Sequence, residues 1–474
     1  MSAPVMCHGV AASRAPVVRP RWKFCQTRPS AAHQVPTRKL LATRGGSTVV
    51  KADVASPSSS SPGHKKVVFV GGTGRVGAAA AAALVKSDKS VSSIVLAGRS
   101  QANASAAFQR HPNLTGVARF EPVNVSDPIS IAALIAGADL VVHSAGPFQS
   151  GGGDNGNVLD ACIKKGVAYL DVCDDAGYAA NAKAKSKQAA DAGVPCITTA
   201  GVYPGVSNVM AAEMIAQNRE ASREASLSEA SSEAANETDA KNSTETHAKN
   251  EPEVEYVLYS YFCAGSGGVG DTILATSYML CGEDVVCWED GKQVVTRPAT
   301  QRKVVDFGKR CGKREVFLYN LPETQSAREV FGARTVKTRF GTSPGVWNLA
   351  MSAMAQIVPK DVLLNPETAK KLASLTAPLV RLVDKLVGTR TAMRVDVKLK
   401  NGKLAGGIFN HPVLGDAVGD ATAAFASAML RGETKPGVWY PEETEAISDR
   451  PRLLGVGLSQ SPHAASLIAH TRTR

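Results

Sequence analysis

Gly72-Thr73-Gly74-Arg75-Val76-Gly77 spaces three glycines as G-x-G-x-x-G, and Gly71 adds a second reading, G-x-x-G-x-x-G. Glycines at these intervals let backbone approach a diphosphate without obstruction by Cβ. A helix that starts there offers its free N–H groups to the anion. The flanks supply both elements. Val67–Val70 is a β-branched and aromatic run suited to a strand buried on both faces. Ala78–Leu84 combines high helix propensity with small side chains that let a helix lie close to a sheet. Strand, glycines and helix in this order are far more specific than the glycines alone.

The next strand should end in the residue that reads the adenosine ribose. NAD sites place Asp or Glu there, whereas this chain has Arg99, 22 residues after Gly77, followed by Ser100. A guanidinium attracts a 2′-phosphate that a carboxylate would repel, so the expected cofactor is NADP. Val125, within Asn124–Asp127, falls where a third strand would flank the adenine. Ala145, Gly146 and Pro147 are small residues placed to run beside the nicotinamide ribose.

Acid–base candidates are few. Asp171 and Cys173 stand at the carboxyl end of an expected fifth strand, where open α/β sheets put their ligands. Each has a structural alternative, as a helix cap or as a buried space-filler. Tyr203 precedes a Pro-Gly turn and completes the expected catalytic set. His411 reads better as a turn histidine than as a catalyst. Gly265–Gly270 suits either a packing turn or a helix N-terminus facing a substrate carboxylate. No Tyr is followed four residues later by Lys, which disfavours short-chain dehydrogenase chemistry. No cysteine or histidine spacing suggests a metal, and the cysteines read as reduced thiols.

These residues need a frame. Apolar runs at Ser93–Ser100, Ala118–Asp127, Ala138–Phe148, around Tyr169 and around Ile197 alternate with helical stretches, the pattern of a parallel sheet with crossover helices. A Rossmann-type domain over 65–205 follows, then a connecting helix over 206–217. Residues 218–253 turn to Glu, Ala, Ser, Asn and Thr and read as an acidic insertion, disordered or loosely helical. Val254–Ala264 opens an α+β domain over 254–411, with a hairpin at Asn401-Gly402 and a sheet that could shield a substrate or the interface of a homodimer. A helix and tail follow over 412–449, and 450–474 reads as a disordered tail.

The formal charge of +12 invites a nucleic-acid reading, but its distribution does not. Residues 1–51 hold nine Lys and Arg and no Asp or Glu, so only +3 remains beyond them. A basic, acid-free, hydroxyl-rich leader reads as a transit peptide removed near Val50-Lys51-Ala52. Its Ser and Pro content favours the plastid stroma over the mitochondrion. Neither nucleic acid nor a membrane span is expected.

The strings VVFVGGTGRVG, IVLAGRS, VVHSAGPF, YLDVCDD, TTAGVYPGVSNVMA, GSGGVGDTILATSYML and PGVWYPEE, in this order over about Lys65–Glu443, resemble the saccharopine dehydrogenase-like NADP-binding oxidoreductases, plastid members of plants and algae most closely. The resemblance implies an NADP-binding Rossmann domain and a mixed second domain whose last helix and tail return to the first. The expected function is hydride transfer at a C–N or C=C bond of a small metabolite. The alternative is a non-catalytic NADP-binding redox sensor or scaffold.

Overall fold

A computed structural model describes residues 63–149, 154–234, 252–265 and 271–459. The leader 1–51, residues 235–251 of the insertion, Ser266–Gly270 and residues 460–474 lie outside the described residues.

The first half alternates strand and helix. It runs β1 (Lys65–Val70), α1 (Arg75–Ser87), β2 (Val91–Gly98), α2 (Gln101–Arg110), β3 (Ala118–Pro122), α3 (Pro128–Leu134) and β4 (Leu140–His143). It continues through α4 (Asn157–Lys165), β5 (Ala168–Asp171), α5 (Ala176–Ala184), α6 (Ser186–Asp191) and β6 (Pro195–Ile197). The long helix α7 (Val206–Ala234) leads out of it.

The second half opens with β7 (Val254–Ala264), α8 (Asp271–Leu280), β8 (Val285–Glu289), β9 (Lys292–Thr296), β10 (Thr300–Asp306) and β11 (Lys313–Leu318). Then come α9 (Pro322–Phe331), β12 (Thr335–Ser343), α10 (Gly345–Ile357), α11 (Lys360–Leu364), α12 (Pro366–Val387), β13 (Arg390–Leu399) and β14 (Leu404–His411). The chain closes with α13 (Leu414–Leu430), β15 (Gly437–Trp439) and α14 (Arg450–Ser459).

Among the described residues, one sheet is wholly parallel and has the order β15-β6-β5-β4-β1-β2-β3. Strand order reverses at β1, which pairs with β2 on one side and β4 on the other. The crevice beyond the carboxyl ends of β1 and β4 is therefore a topological switch point, where such sheets bind their ligands. The second sheet is mixed, in the order β10-β11-β12-β7-β13-β14, with β8 joining β12 and β9 joining β8. The fold is α/β: a Rossmann-type sheet followed by a second, mixed-sheet domain.

One core cluster joins the halves. Val67, Phe69 and Leu96 of the first sheet are continuous with Val209, Met210 and Met214 of α7 and with Val257, Tyr259 and Met393 of the second sheet. The C-terminal segment returns to the first sheet. Its helix α13 lies so close to α1 that a Cβ on Gly419 would stand 2.7 Å from that of Ala79. Ser427 Oγ donates to Asp88 at 2.6 Å, and β15 adds a parallel strand beside β6.

Two boundaries differ from the sequence reading. The connecting helix continues past 217 to Ala234, the loosely helical alternative for the start of the insertion, and the Ala, Glu and Arg of this stretch favour helix without needing a core. Asn401 Nδ2 also donates to Ser222 Oγ at 2.8 Å, tying that extension to the β13–β14 turn. The tail expected to be disordered from 450 begins with α14, whose Leu453 and Leu454 are buried in the main core.

Candidate functional site

The glycine loop is built by exclusion of side chains. Gly71 has φ +80°, and a Cβ there would stand 2.6 Å from the Ala145 amide nitrogen. On Gly77 it would meet Ser144 Oγ at 2.5 Å and the Gly71 carbonyl at 2.6 Å. Ser144 is itself pinned to β1, its amide donating to the Val70 carbonyl at 2.7 Å and its hydroxyl at 3.1 Å. Gly98 leaves room for Thr73, whose Oγ1 would collide with any Cβ there. Gly72, Thr73, Gly74 and Ala145 thus lie around the switch point. Gly74 caps α1 without a side-chain hydrogen bond, and the first turn carries no acid. The positive end of the helix is left for an anion.

The electrostatics match. Arg99 is exposed at the end of β2, and Arg75 is exposed at the start of α1. Partial burial, and then the field of Arg75, lowers the Arg110 guanidinium from its usual range. Ser100 Oγ caps α2 by accepting from the Asn103 amide at 3.4 Å. Val125 packs half-buried against the core cluster that includes Val68 and Val70 of β1, Val95 of β2 and Val141 of β4. The Gly146-Pro147 peptide, which is cis, leads from Ala145 into the site.

The three expected catalytic residues each make bonds within the scaffold. Asp171 is fully buried, and its Oδ1 accepts from the Cys173 amide (3.0 Å), the Thr199 amide (2.8 Å) and Thr198 Oγ1 (3.0 Å). Burial pushes its pKa up to about 6 against these bonds. It holds the ends of β5 and β6 together, including Thr199 at φ +63°. Cys173 is fully buried beside Phe148, Tyr178 and Tyr440, and burial pushes its thiol well up, away from a thiolate. Tyr203 stacks on Tyr261 with ring centroids 4.5 Å apart and shares a 2.6 Å hydrogen bond with Thr391 Oγ1. Asp171 and Cys173 are therefore bonded to each other, while the partners of Tyr203 come from the second sheet.

Two polar clusters at the carboxyl end of the first sheet escape the sequence reading. His143, the last residue of β4, is fully buried, with Nδ1 3.2 Å from the Tyr169 hydroxyl and 3.5 Å from that of Tyr178. Tyr178 donates to Asp154 at 3.2 Å, and Asp154 caps α4 through the Val158 amide at 3.2 Å. Burial holds the His143 pKa below the usual value although Asp154 opposes it. Its Nε2 has no hydrogen-bond partner among the described residues. A histidine closing the otherwise apolar strand LVVH is the one signal that could have marked this cluster.

The second cluster joins the halves. Gln149 donates to Asp174 Oδ1 at 3.3 Å and accepts from Thr276 of α8 at 3.4 Å. Burial pushes Asp174 up to about 6, with Asp175 adding to it. Burial also pushes Glu283, after α8, up to about 7, with Asp175 and Asp174 adding, while Asn320 donates to it at 3.3 Å. Carboxyls tuned to this range can hold or release a proton near neutral pH. A cavity of about 680 Å³ lies elsewhere, between α7, α9 and residues 440–445, and none of the expected site residues lines it. Among the described residues no group of His, Cys, Asp and Glu could hold a metal ion.

Such a loop, sheet and arginine define a Rossmann domain that binds a phosphorylated dinucleotide. Residues 67–197 match the family model of the saccharopine dehydrogenase NADP binding domain, so the cofactor is NADP. No curated protein sequence matches the chain. Among solved structures, apo saccharopine dehydrogenase (L-Glu forming) from Saccharomyces cerevisiae aligns over 86% of this chain and 100% of its own, with 13% identity and a TM-score of 0.55. At that identity the likeness is one of fold. Pen from Bacillus thuringiensis (14% identity, 28% of this chain and 50% of its own, TM-score 0.25) also aligns. So does a short-chain type dehydrogenase/reductase from Mycobacterium ulcerans (15%, 28% and 66%, 0.24).

Proposed function

We propose that this chain is an NADP-dependent oxidoreductase of the plastid stroma, acting at a C–N or C=C bond of a small metabolite. The observation that carries the reading is the pairing of a glycine cradle at the switch point with carboxyls of raised pKa where the two halves meet. The bound cofactor would supply or accept the hydride. The chain must orient the substrate and manage a proton. Gly72–Gly77 with Ala145 would hold the diphosphate and ribose, and Arg99 the 2′-phosphate. Asp174, fixed by Gln149, and Glu283 are carboxyls at that junction able to carry a proton near pH 7. The yeast enzyme's name, glutamate-forming saccharopine dehydrogenase, makes secondary amines the first compounds to test.

A second reading, a redox sensor that binds NADP without turnover, is favoured by the structural bonds that occupy Asp171, Cys173 and Tyr203. A screen of secondary amines, imines and enones that follows NADPH separates the two. Turnover that falls in Glu283→Gln supports the enzyme, and tight NADPH binding with no turnover of any compound supports the sensor. A fluorescent reporter carrying residues 1–51 tests the compartment: stromal import is expected, and a cytosolic reporter overturns it.

A further inference from the structure

Strand β12 has two unlike faces. Val336 belongs to the main core, and Thr338 bonds Thr324 of α9 at 3.0 Å, so both point toward the helices on that side. Lys337 and Arg339 must point to the opposite face, because side chains alternate along a strand. Register carries that face across the second sheet. Arg339 lies opposite Ser260 of β7, and Ser260 lies opposite Arg394 of β13. Neighbouring strands run about 4.8 Å apart, so the two arginines flank the serine across about 10 Å. Val316 of β11 clusters with Phe262, two residues beyond Ser260, and Lys303 of β10 pairs with Val316 on the same face.

Arg339 is the anomaly. It is only 6% exposed, yet its Nε has no hydrogen-bond partner and no carboxylate bonds the guanidinium among the described residues. Burial lowers it from its usual range, with Cys287 and Glu289 opposing. A buried charge is normally paired, since desolvation is costly and only a close partner offsets it. The carboxylates nearby are taken. Glu289 holds Lys337 at 2.5 Å, and Asp396 holds Arg394 through Nε and Nη2, both at 2.8 Å. Lys303 has no such partner among the described residues. Burial lowers its ammonium and the field of Arg339 comes next, with Arg394 and Lys337 adding and Asp396 opposing. Four cations therefore face two carboxylates, and the charges of Arg339 and Lys303 stay uncompensated.

We infer that Arg339 and Lys303, with the Ser260 hydroxyl between the strands, form a binding site for a compact dianion: free phosphate or the phosphate of a small phosphomonoester. Such a group carries nearly two negative charges at neutral pH and accepts several charge-assisted hydrogen bonds. The burial of Arg339 selects a small occupant, because the anion must come down between side chains to meet it. A nucleic-acid backbone or an anionic bilayer would need a row of open cations, and Lys337 and Arg394 are already bonded. The site belongs to the second sheet and does not depend on the reading of the cofactor loop.

The test is calorimetric titration of the full-length protein with inorganic phosphate and with phenyl phosphate, at constant ionic strength and with NADPH in excess. One site per chain with a dissociation constant below about 1 mM, weakened at least tenfold in Arg339→Gln and in Lys303→Gln, supports the proposal. Tighter binding of phenyl phosphate identifies an organic ligand, and tighter binding of phosphate the free ion. Lys303 is exposed, so its variant decides alone if Arg339→Gln does not fold. Absence of saturable binding, or binding that the folded variants leave unchanged, overturns the proposal. Binding lost in Arg99→Ala but kept in Lys303→Gln also overturns it, by placing the phosphate in the cofactor loop. So does a protein that ignores both small anions and floats with vesicles containing phosphatidylinositol 4-phosphate.

Discussion

Arg99 tests the cofactor reading in one substitution. It is exposed at the end of β2, where only charge can recommend it. In Arg99→Ala, NADPH affinity should fall at least tenfold, about 1.4 kcal/mol, while NADH affinity stays level. Equal losses for both cofactors in a titration would show that the guanidinium does not read the phosphate. The glycines were legible because an absent Cβ is written in the residue type itself. The His143–Tyr178–Asp154 cluster was not, since its members come from three segments and meet only through folding. The role of Asp171 is not written in its residue type, for a carboxylate at a strand end looks the same in sequence whether it meets a substrate or two backbone amides.

Buried carboxyls also give the protein a pH dependence. Glu323 accepts from Tyr261 at 2.5 Å and Glu442 from Asn208 at 2.9 Å, in a network linking α7, β7, α9 and the C-terminal segment. Burial pushes each from 4.5 up to about 7. The folded state therefore binds more protons than the unfolded state between those values, and stability must fall as pH rises through that window. Above it the loss is complete, and below 4.5 it is absent. Going from about pH 5 to about pH 8 should cost on the order of 2–3 kcal/mol for each carboxyl, and Glu323→Gln/Glu442→Gln should flatten the decline. Denaturant titrations across this range check it, and a stability that rises with pH would refute the assignment.

At the scale of elements, the parallel strands are the easiest to read, because burial on both faces makes each a continuous apolar run. The β8–β9 hairpin is absent from the sequence expectations, although Asp290-Gly291 is a strong hairpin turn signal and both residues have positive φ. Its strands carry Glu289, Lys292 and Gln293 on an exposed edge, which blurs the alternation. Three-residue β15 is too short for any periodicity to mark. Close packing of α1 against α13 is equally silent in sequence, yet it can be tested. In Gly419→Leu the new side chain would meet Ala79 and the Ala80 amide, forcing the helices apart. A loss of about 1–3 kcal/mol is expected, with weaker NADPH binding as the start of α1 shifts. Unchanged thermal unfolding would mean that the contact yields freely.

At the scale of the molecule, the nucleotide-binding half does not close on itself. Residues 65–205 supply β1 through β6, but β15, which covers the edge of β6, comes from the far end of the chain. The buried alanines of α1 are covered by α13, and the first sheet shares one core cluster with α7 and the second sheet. Cut out, the fragment would expose this alanine face and leave β6 as an open edge, a template for pairing with another chain. Expressed alone, residues 65–205 should aggregate or remain partly unfolded, with rapid amide exchange across β5 and β6. Residues 63–459 should fold and bind NADPH. A soluble, protected fragment that binds NADPH as tightly as the full chain would show that the Rossmann half is autonomous. The returning segment would then serve only to fix the second domain over the site.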